Sequence, residues 1–328
     1  MEPFSAFRIH AGENGTHAGV EQLRLAQLSK GDVVIRVQYS SVNYKDALAA
    51  TGKSKILRKS PLVGGIDLAG KVIESSSSSF SPGDPVIVNG CGLSEVHDGG
   101  YAQVARVPAD WAVPLPAELG LDQAMVIGTA GFTSALCIHL LQSNDQHREN
   151  GPIVVTGASG GVGSFAITLL HKLGYEVMAV TGSPGAYDYL YELGADKVVP
   201  HNQVVLGDGM LGKASWAGAI DNIGGETLSS LVRGTMPWGN VVSVGILGGA
   251  EFQLSTMPFI IRGVNLLGVS SSSCPQDLRK KIWQRLGNDL YPDHIAKIHT
   301  QTSRLEDLPG VFKKLLNNEI RGRVLVKL

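Results

Sequence analysis

Over residues 33–42 (Val-Val-Ile-Arg-Val-Gln-Tyr-Ser-Ser-Val) apolar and polar positions alternate with a period near two, which predicts a half-buried strand. A second strand is expected over 68–74. The five serines at 75–79 have nothing to bury and read as a solvated hairpin loop. Ser81-Pro82-Gly83-Asp84 then supplies a turn ahead of a short apolar strand, 86–88. The first hundred-odd residues are therefore rich in short strands and turns, with little helical periodicity. They predict a small β-barrel or sandwich.

From about Leu121 the pattern changes. Apolar runs at 153–156, 176–181, 197–199, 217–220, 240–244 and 265–269 are separated by helical stretches. Six such runs predict a doubly wound parallel sheet, buried on both faces, so the chain is of the α/β class. A helix over 277–290 and a strand over 323–327 follow, and no internal repeat is visible. The organisation expected is a β-rich domain over 1–121, completed by 271–328, and a nucleotide-binding domain over 122–270.

Composition narrows the partners. The 328 residues suffice for two domains. Lysine plus arginine number 28 against 29 acids, a net charge of −1, which gives no reason to expect nucleic acid or an anionic membrane. The start, Met-Glu-Pro-Phe-Ser, lacks a cationic segment followed by an apolar one, and no uninterrupted apolar run approaches the roughly 18 residues of a span. Cys91, Cys137 and Cys274 lie far apart, so neither a disulfide framework nor a thiolate metal site is expected. The expectation is a cytoplasmic protein.

The chemistry begins at Ala158-Ser159-Gly160-Gly161-Val162-Gly163, a dinucleotide fingerprint with alanine in the first glycine's place. Small residues let the chain turn tightly, let backbone approach a pyrophosphate, and let the helix over 162–173 pack close to its strand. Free N–H groups and the positive dipole end of that helix then face the phosphates. Which dinucleotide depends on the end of the second strand. An acid there would bind the ribose hydroxyls of NAD, but this chain has Thr181-Gly182-Ser183-Pro184. Hydroxyls and a glycine suit a 2′-phosphate, so NADPH (NADP) is the cofactor expected; the competing reading is that an uncharged loop accepts either coenzyme.

Asn43-Tyr44-Lys45-Asp46, Gly64-Gly-Ile66-Asp67-Leu-Ala-Gly70, Pro82-Gly83-Asp84, Gly128-Thr129-Ala-Gly131-Phe-Thr133 and Leu193-Gly-Ala195 together resemble the medium-chain dehydrogenase/reductase superfamily, from about Val33 to Leu328. Its zinc-dependent alcohol dehydrogenases place a cysteine where Asn43 stands and a histidine where Ile66 stands. Neither ligand is present, nor is the lobe of clustered cysteines, and a catalytic zinc wants about three protein ligands. No metal is expected. Met257-Pro-Phe-Ile, Trp216-Ala-Gly-Ala-Ile-Asp and Asn317-Asn-Glu-Ile-Arg-Gly-Arg make the chain similar to the zinc-independent, quinone oxidoreductase-like branch, and within it to the acryloyl-CoA reductase subgroup. The resemblance implies a GroES-like catalytic domain beside a Rossmann domain, NADPH, reduction of an activated carbon–carbon double bond, and a homodimer. By position it implies cofactor contacts at Tyr44, Ser159, Gly160, Gly161, Val162, Gly163, Thr181, Gly182, Ser183, Ile246, Ile260, Ser271 and Asn318. The family commonly carries arginine where Ser183 stands and a second basic residue where His201 stands. Those departures weaken the expected grip on a 2′-phosphate.

Hydride addition to the β-carbon of an enoyl thioester drives negative charge onto the thioester oxygen, which needs fixed donors, and the α-carbon needs a proton. Tyr44 is the candidate pocket wall and proton donor; a purely positioning role is the alternative. Asn43 and Thr129 are candidate donors to the oxyanion or to the nicotinamide carboxamide, and Lys45, Asp46 and Asp67 a supporting ion-pair set. The nine histidines show no metal spacing. Lys53, Lys55, Arg58 and Lys59, crowded after the Asn-Tyr-Lys-Asp loop, are candidates for the coenzyme A phosphates, with Arg321 and Arg323 as further ones; a solvated face is the alternative. The expected activity is reduction of a short enoyl-CoA, acryloyl-CoA foremost. Quinone reduction is the second enzymatic reading, and a dinucleotide-binding sensor or structural protein the non-enzymatic one.

Overall fold

The computed structural model describes residues 2–13, 15–207 and 209–328. They group into two compact units, one containing residues up to 129 with 271–288 and 298–328, the other 130–270 with 289–297. Along the chain the division falls within helix Leu121–Ser143, which is broken inside at Gly128, whose φ of 47° and ψ of −154° no helix accommodates. That helix is long and apolar enough to cross a membrane, but 83 % of its most apolar stretch is buried within the protein, as for a core helix.

The first unit is built on two sheets. Phe4–Gly12 pairs antiparallel with both Gly15–Leu23 and Leu62–Val63. A seven-stranded sheet runs in the order His299–Ser303, Arg323–Lys327, Val33–Ser41, Asp67–Ser75, Pro85–Asn89, Val113–Pro114, and Val104–Val107 adds to Val33–Ser41. Val33, Ile35 and Val37 are buried among Leu68, Val72, Val86 and Val88, but the half-buried alternation expected over 33–42 holds only in part. Val34 is buried as well, in a second core, and residues 67–70 and 86–89 are buried without interruption, so this sheet is covered on both faces. Phe7, Tyr101 and Phe312 meet in the other core, with ring centroids 6.3 and 5.9 Å from Phe7 in edge-on geometry. Such pairs add about 0.5–1.5 kcal/mol to plain burial.

Three elements depart from the pattern reading. Tyr44–Thr51 is a helix of eight residues, too short for periodicity to reveal; its start is fixed by Asn43 N–H donating to Asp46 Oδ2 at 2.9 Å. The helix expected over 277–290 is Gln276–Leu286, because Gly287 and Asn288 are weak helix formers and close it. Strand Thr235–Ser243 starts earlier than its apolar run, since Pro237, a left-handed Trp238 and Gly239 mask its first half.

The second unit is a six-stranded parallel sheet in the order Lys197–Pro200, Val177–Thr181, Ile153–Val155, Trp216–Asp221, Thr235–Ser243, Asn265–Gly268. Numbered along the chain this is 3-2-1-4-5-6, the dinucleotide-binding order. Strand order reverses between Ile153–Val155 and Trp216–Asp221, so a ligand crevice belongs at their carboxyl ends.

Candidate functional site

The glycine turn follows the first strand of the parallel sheet and opens helix Gly161–Lys172. Gly157 takes a φ of 56° and makes the turn. A Cβ on Gly163 would lie 2.4 Å from the Gly157 carbonyl oxygen and 2.6 Å from the Ala158 Cα, so helix and strand backbones touch there. Gly160 is exposed, and a Cβ on it would meet only the Gly157 oxygen at 3.3 Å. This leaves a bare helix amino terminus flanked by the half-buried Ser159, Gly161 and Val162. Ser159 Oγ lies 3.5 Å from Thr181 Oγ1, bringing the turn and the end of the second strand together. Thr181 Oγ1 accepts the N–H of Ser183 at 3.1 Å, and Gly182 and Ser183 are exposed beyond it. His201 is exposed too, its Nε2 2.7 Å from Thr227 Oγ1.

At the switch point Thr156 Oγ1 donates to Asp221 Oδ1 at 2.6 Å. Asn222 donates its N–H to Thr156 Oγ1 and its Nδ2 to the Thr156 carbonyl, at 2.9 and 2.8 Å. Its Oδ1 is buried without a hydrogen-bond partner among the described residues. Burial raises the Asp221 carboxyl above its ordinary range, opposed by the Thr156 hydroxyl and the Gly224 and Ile223 N–H groups. Gly245 packs backbone to backbone on Asn222, which sets Ile246 beside Gly224. Ile246 and Ile260 are each 71 % exposed. The sequence reading overlooked Asn222; its place one residue past a strand end at the reversal point is the signal that marks it.

The first unit carries a buried polar cluster centred on Asp67. Its carboxylate receives Ser41 Oγ (2.6 Å), Asn43 Nδ2 (2.7 Å), the Thr129 N–H (2.9 Å) and Thr129 Oγ1 (2.6 Å). Arg323 lies 3.8 Å from it and donates to the Val42 carbonyl (2.7 Å), Asn43 Oδ1 (3.0 Å), Ser41 Oγ (2.7 Å) and the Val126 carbonyl (3.1 Å). A Cβ on Gly128 would fall 2.7 Å from Asp67 Oδ2 and 2.8 Å from an Arg323 nitrogen, so the helix breaks there to let the cluster reach its backbone. Asp46 adds a second buried carboxylate, with Oδ1 accepting the Ile66 N–H at 3.0 Å. Burial, and then the charge of Asp67, push its pKa up to about 7. Burial lowers that of Arg323.

The structure thus joins Asn43 and Thr129, but on Asp67. The expected Lys45–Asp46–Asp67 ion-pair set does not form: Lys45 pairs with Glu95, and Asp67 with Arg323. Arg323 is also corrected as a phosphate candidate, being 3 % exposed and saturated by internal acceptors. Tyr44, by contrast, is 40 % exposed at the head of its helix, and among the described residues its hydroxyl has no hydrogen bond. Ser271 and Asn318 belong to the first unit, the Ser271 carbonyl accepting from Arg279 at 3.0 Å. Asn318, with a φ of 59°, follows the cap residue Asn317 of helix Leu308–Leu316 and gives its N–H to the Leu315 carbonyl at 3.1 Å. Lys55, Arg58 and Lys59 line a cavity of about 440 Å³, which Lys53 does not.

Fold and site together define a two-unit, dinucleotide-type oxidoreductase architecture. Residues 29–117 match the alcohol dehydrogenase GroES-like domain and 161–288 the zinc-binding dehydrogenase family. The chain is 44 % identical over 327 residues to acrylyl-CoA reductase AcuI of Ruegeria pomeroyi, covering 98 % of both chains. It is equally identical over 326 residues to Bacillus subtilis YhfP, whose name carries a quinone oxidoreductase assignment, covering 99 % of both. The solved structure of YhfP with NAD bound superposes with a TM-score of 0.97 at 43 % identity, over 100 % of each chain. That of the Salmonella enterica yhdH oxidoreductase in complex with NADP gives 0.96 at 43 %, over 99 % of each. The chain belongs to the medium-chain dehydrogenase/reductase superfamily, in the group that holds these relatives.

The family's zinc does not fit the residues present. Asn43 gives its amide nitrogen to Asp67 and its oxygen to Arg323, and Ile66 offers no donor atom. Among the described residues no three His, Cys, Asp or Glu side chains converge as a metal set.

Proposed function

We infer that this chain is an NADPH-dependent oxidoreductase that reduces the double bond of a short α,β-unsaturated acyl-CoA. The observation that carries this is the 44 % identity, over 98 % of both chains, to a relative named as an acrylyl-CoA reductase. The glycine turn fits a dinucleotide on its own evidence: a bare helix amino terminus over a contact that Gly163 alone permits, and a buried Asn222 oxygen awaiting a donor. Ser159, Gly160, Gly161, Val162 and Gly163 would hold the diphosphate, and Thr181, Gly182, Ser183 and His201 the 2′-phosphate. Bound NADPH supplies the hydride.

The chain's own residues supply orientation and a proton. Donation by Asn43 or Thr129 straight to the oxyanion would strip a buried carboxylate of bonds of 2.7 and 2.6 Å, and leaving such a group unsatisfied costs about 1–3 kcal/mol or more. Both are therefore assigned as positioning residues: they fix Asp67, the break at Gly128 and the start of the Tyr44 helix. Tyr44, with its hydroxyl unpartnered, is the group assigned to donate to the developing enolate and its α-carbon. Tyr44→Phe should keep NADPH affinity and lower kcat by about 10²-fold, the low end for general-acid catalysis; unchanged turnover removes Tyr44 from that role.

A second reading, quinone reduction, is favoured by the equal identity to YhfP. NADPH oxidation measured side by side with acryloyl-CoA, crotonyl-CoA and a benzoquinone separates the two. A kcat/KM highest for acryloyl-CoA is expected, and a higher value for the quinone overturns the enoyl-CoA reading.

A further inference from the structure

We propose that the groove over the carboxyl end of helix Tyr44–Thr51 binds the phosphorylated nucleotide end of coenzyme A. The groove encloses about 440 Å³ between the amino-terminal hairpin, at Ala11 and Thr16, and the segment 54–60. Lys55, Arg58 and Lys59 all line it, all are exposed, and none forms an ion pair or a side-chain hydrogen bond among the described residues. Other cations nearby are matched, Lys45 with Glu95 and Arg8 and His10 with Glu21, while Lys53 is exposed outside the groove. Among the described residues no acidic side chain lines the groove. Three unmatched positive charges around one concavity repel each other in the free protein and attract a multiply charged anion. The negative end of the helix dipole, about half a charge, faces the groove and opposes an anion, but three full positive charges outweigh it.

The groove is built rather than incidental. Gly52 closes the helix with a φ of 68°, and a Cβ there would fall 2.7 Å from Thr16 Oγ1, so the hairpin lies directly on the helix end. Ser60 Oγ accepts the Ala11 N–H at 2.7 Å, and the Arg58 N–H bonds the Glu95 carbonyl at 2.7 Å. These bonds pin the cationic segment to the sheet. Ile56, half-buried, and Ala49 give an apolar wall suited to an adenine face. The helix connects this groove to Tyr44 at its other end, and eight residues rise about 12 Å. A pantetheine arm is long enough to cover that span, so one molecule would place its thioester by Tyr44 and its phosphates among the three cations. Lys53, one residue from Gly52, takes no part. The assignment of the ligand rests on the enoyl-CoA reading above.

The test is titration calorimetry with adenosine 3′,5′-bisphosphate, which lacks the thioester, on the wild type and on a Lys55→Gln/Arg58→Gln/Lys59→Gln variant. Saturable wild-type binding that weakens with salt is expected, with at least tenfold lower affinity in the variant, unchanged affinity in Lys53→Gln, and unchanged NADPH affinity in both. The KM for acryloyl-CoA should rise tenfold in the triple variant at constant kcat, while that for acryloyl-pantetheine stays put. Equal affinity in wild type and variant, or no wild-type binding, overturns the proposal. If neither thioester is reduced, the reductase reading fails, and the titration still decides the groove.

Discussion

Asp46 shows how one side chain can serve the fold at the expense of its own charge. It caps the Tyr44 helix and holds the Ile66 N–H, yet burial and Asp67 raise its pKa from 3.8 to about 7. Between those values the folded chain binds a proton that the unfolded chain releases. The stabilising contribution is therefore complete below pH 3.8 and is lost as pH rises through about 7. Asp46→Asn forfeits the acceptor for the Asn43 N–H, about 1–3 kcal/mol, but should flatten stability across this window. Urea midpoints against pH check this: the same slope in both proteins contradicts it. Ser183 makes the opposite case, an exposed position where charge is missing. With only hydroxyls and a glycine at the strand end, discrimination between coenzymes should be weak. Ser183→Arg should raise the NADPH over NADH ratio of kcat/KM about tenfold, by supplying a charge-assisted bond of about 1.5–3 kcal/mol. An unchanged ratio would show that the 2′-phosphate is held elsewhere.

Among the elements, those with a long repeating pattern were legible and those made by context were not. The strands at 33, 67 and 85 and five strands of the parallel sheet follow from alternation or from apolar runs bounded by turns. The Tyr44 helix is eight residues held by a capping carboxylate, and helix Leu121–Ser143 is apolar on nearly every side, so neither shows an amphipathic period. The glycine turn was readable because each residue has a local duty. The Asp67 cluster was not, because Arg323 reaches Val42 from 281 positions away. Sequence suggested Arg323 as a surface charge; sheet pairing of Leu325 with Ser41 carries it inside. The turn also offers a clean separation of fold from binding. Gly163→Ala would press a methyl 2.4 Å from the Gly157 carbonyl and damage the packing itself. Gly160→Ala faces one contact at 3.3 Å and open solvent, so it should fold with little change in Tm. Its methyl would stand where backbone approaches the diphosphate, and NADPH affinity should fall at least tenfold. Retained affinity would place the diphosphate away from this turn.

At the scale of the whole molecule the surface is nearly neutral, a net charge of −1, so association is not opposed by long-range repulsion. The second unit ends its sheet on Asn265–Gly268, a strand with one edge unpaired among the described residues. The same unit exposes Trp238 at 79 %, Leu247 at 54 % and Ile261 at 62 %, with Trp238 packed on Gly263 next to that edge strand. An open edge and large exposed apolar side chains are both features that monomers ordinarily avoid. Pairing of two copies through this edge would satisfy both at once, which supports the homodimer that the family resemblance implies. Trp238→Asp with Ile261→Asp places charges on this face without touching the glycine turn, the Asp67 cluster or the cationic groove. Light scattering should then give twice the chain mass for the wild type and the chain mass for the variant at micromolar concentration. A variant that stays at twice the chain mass would move the interface elsewhere, and a monomeric wild type would leave the exposed tryptophan serving some other contact.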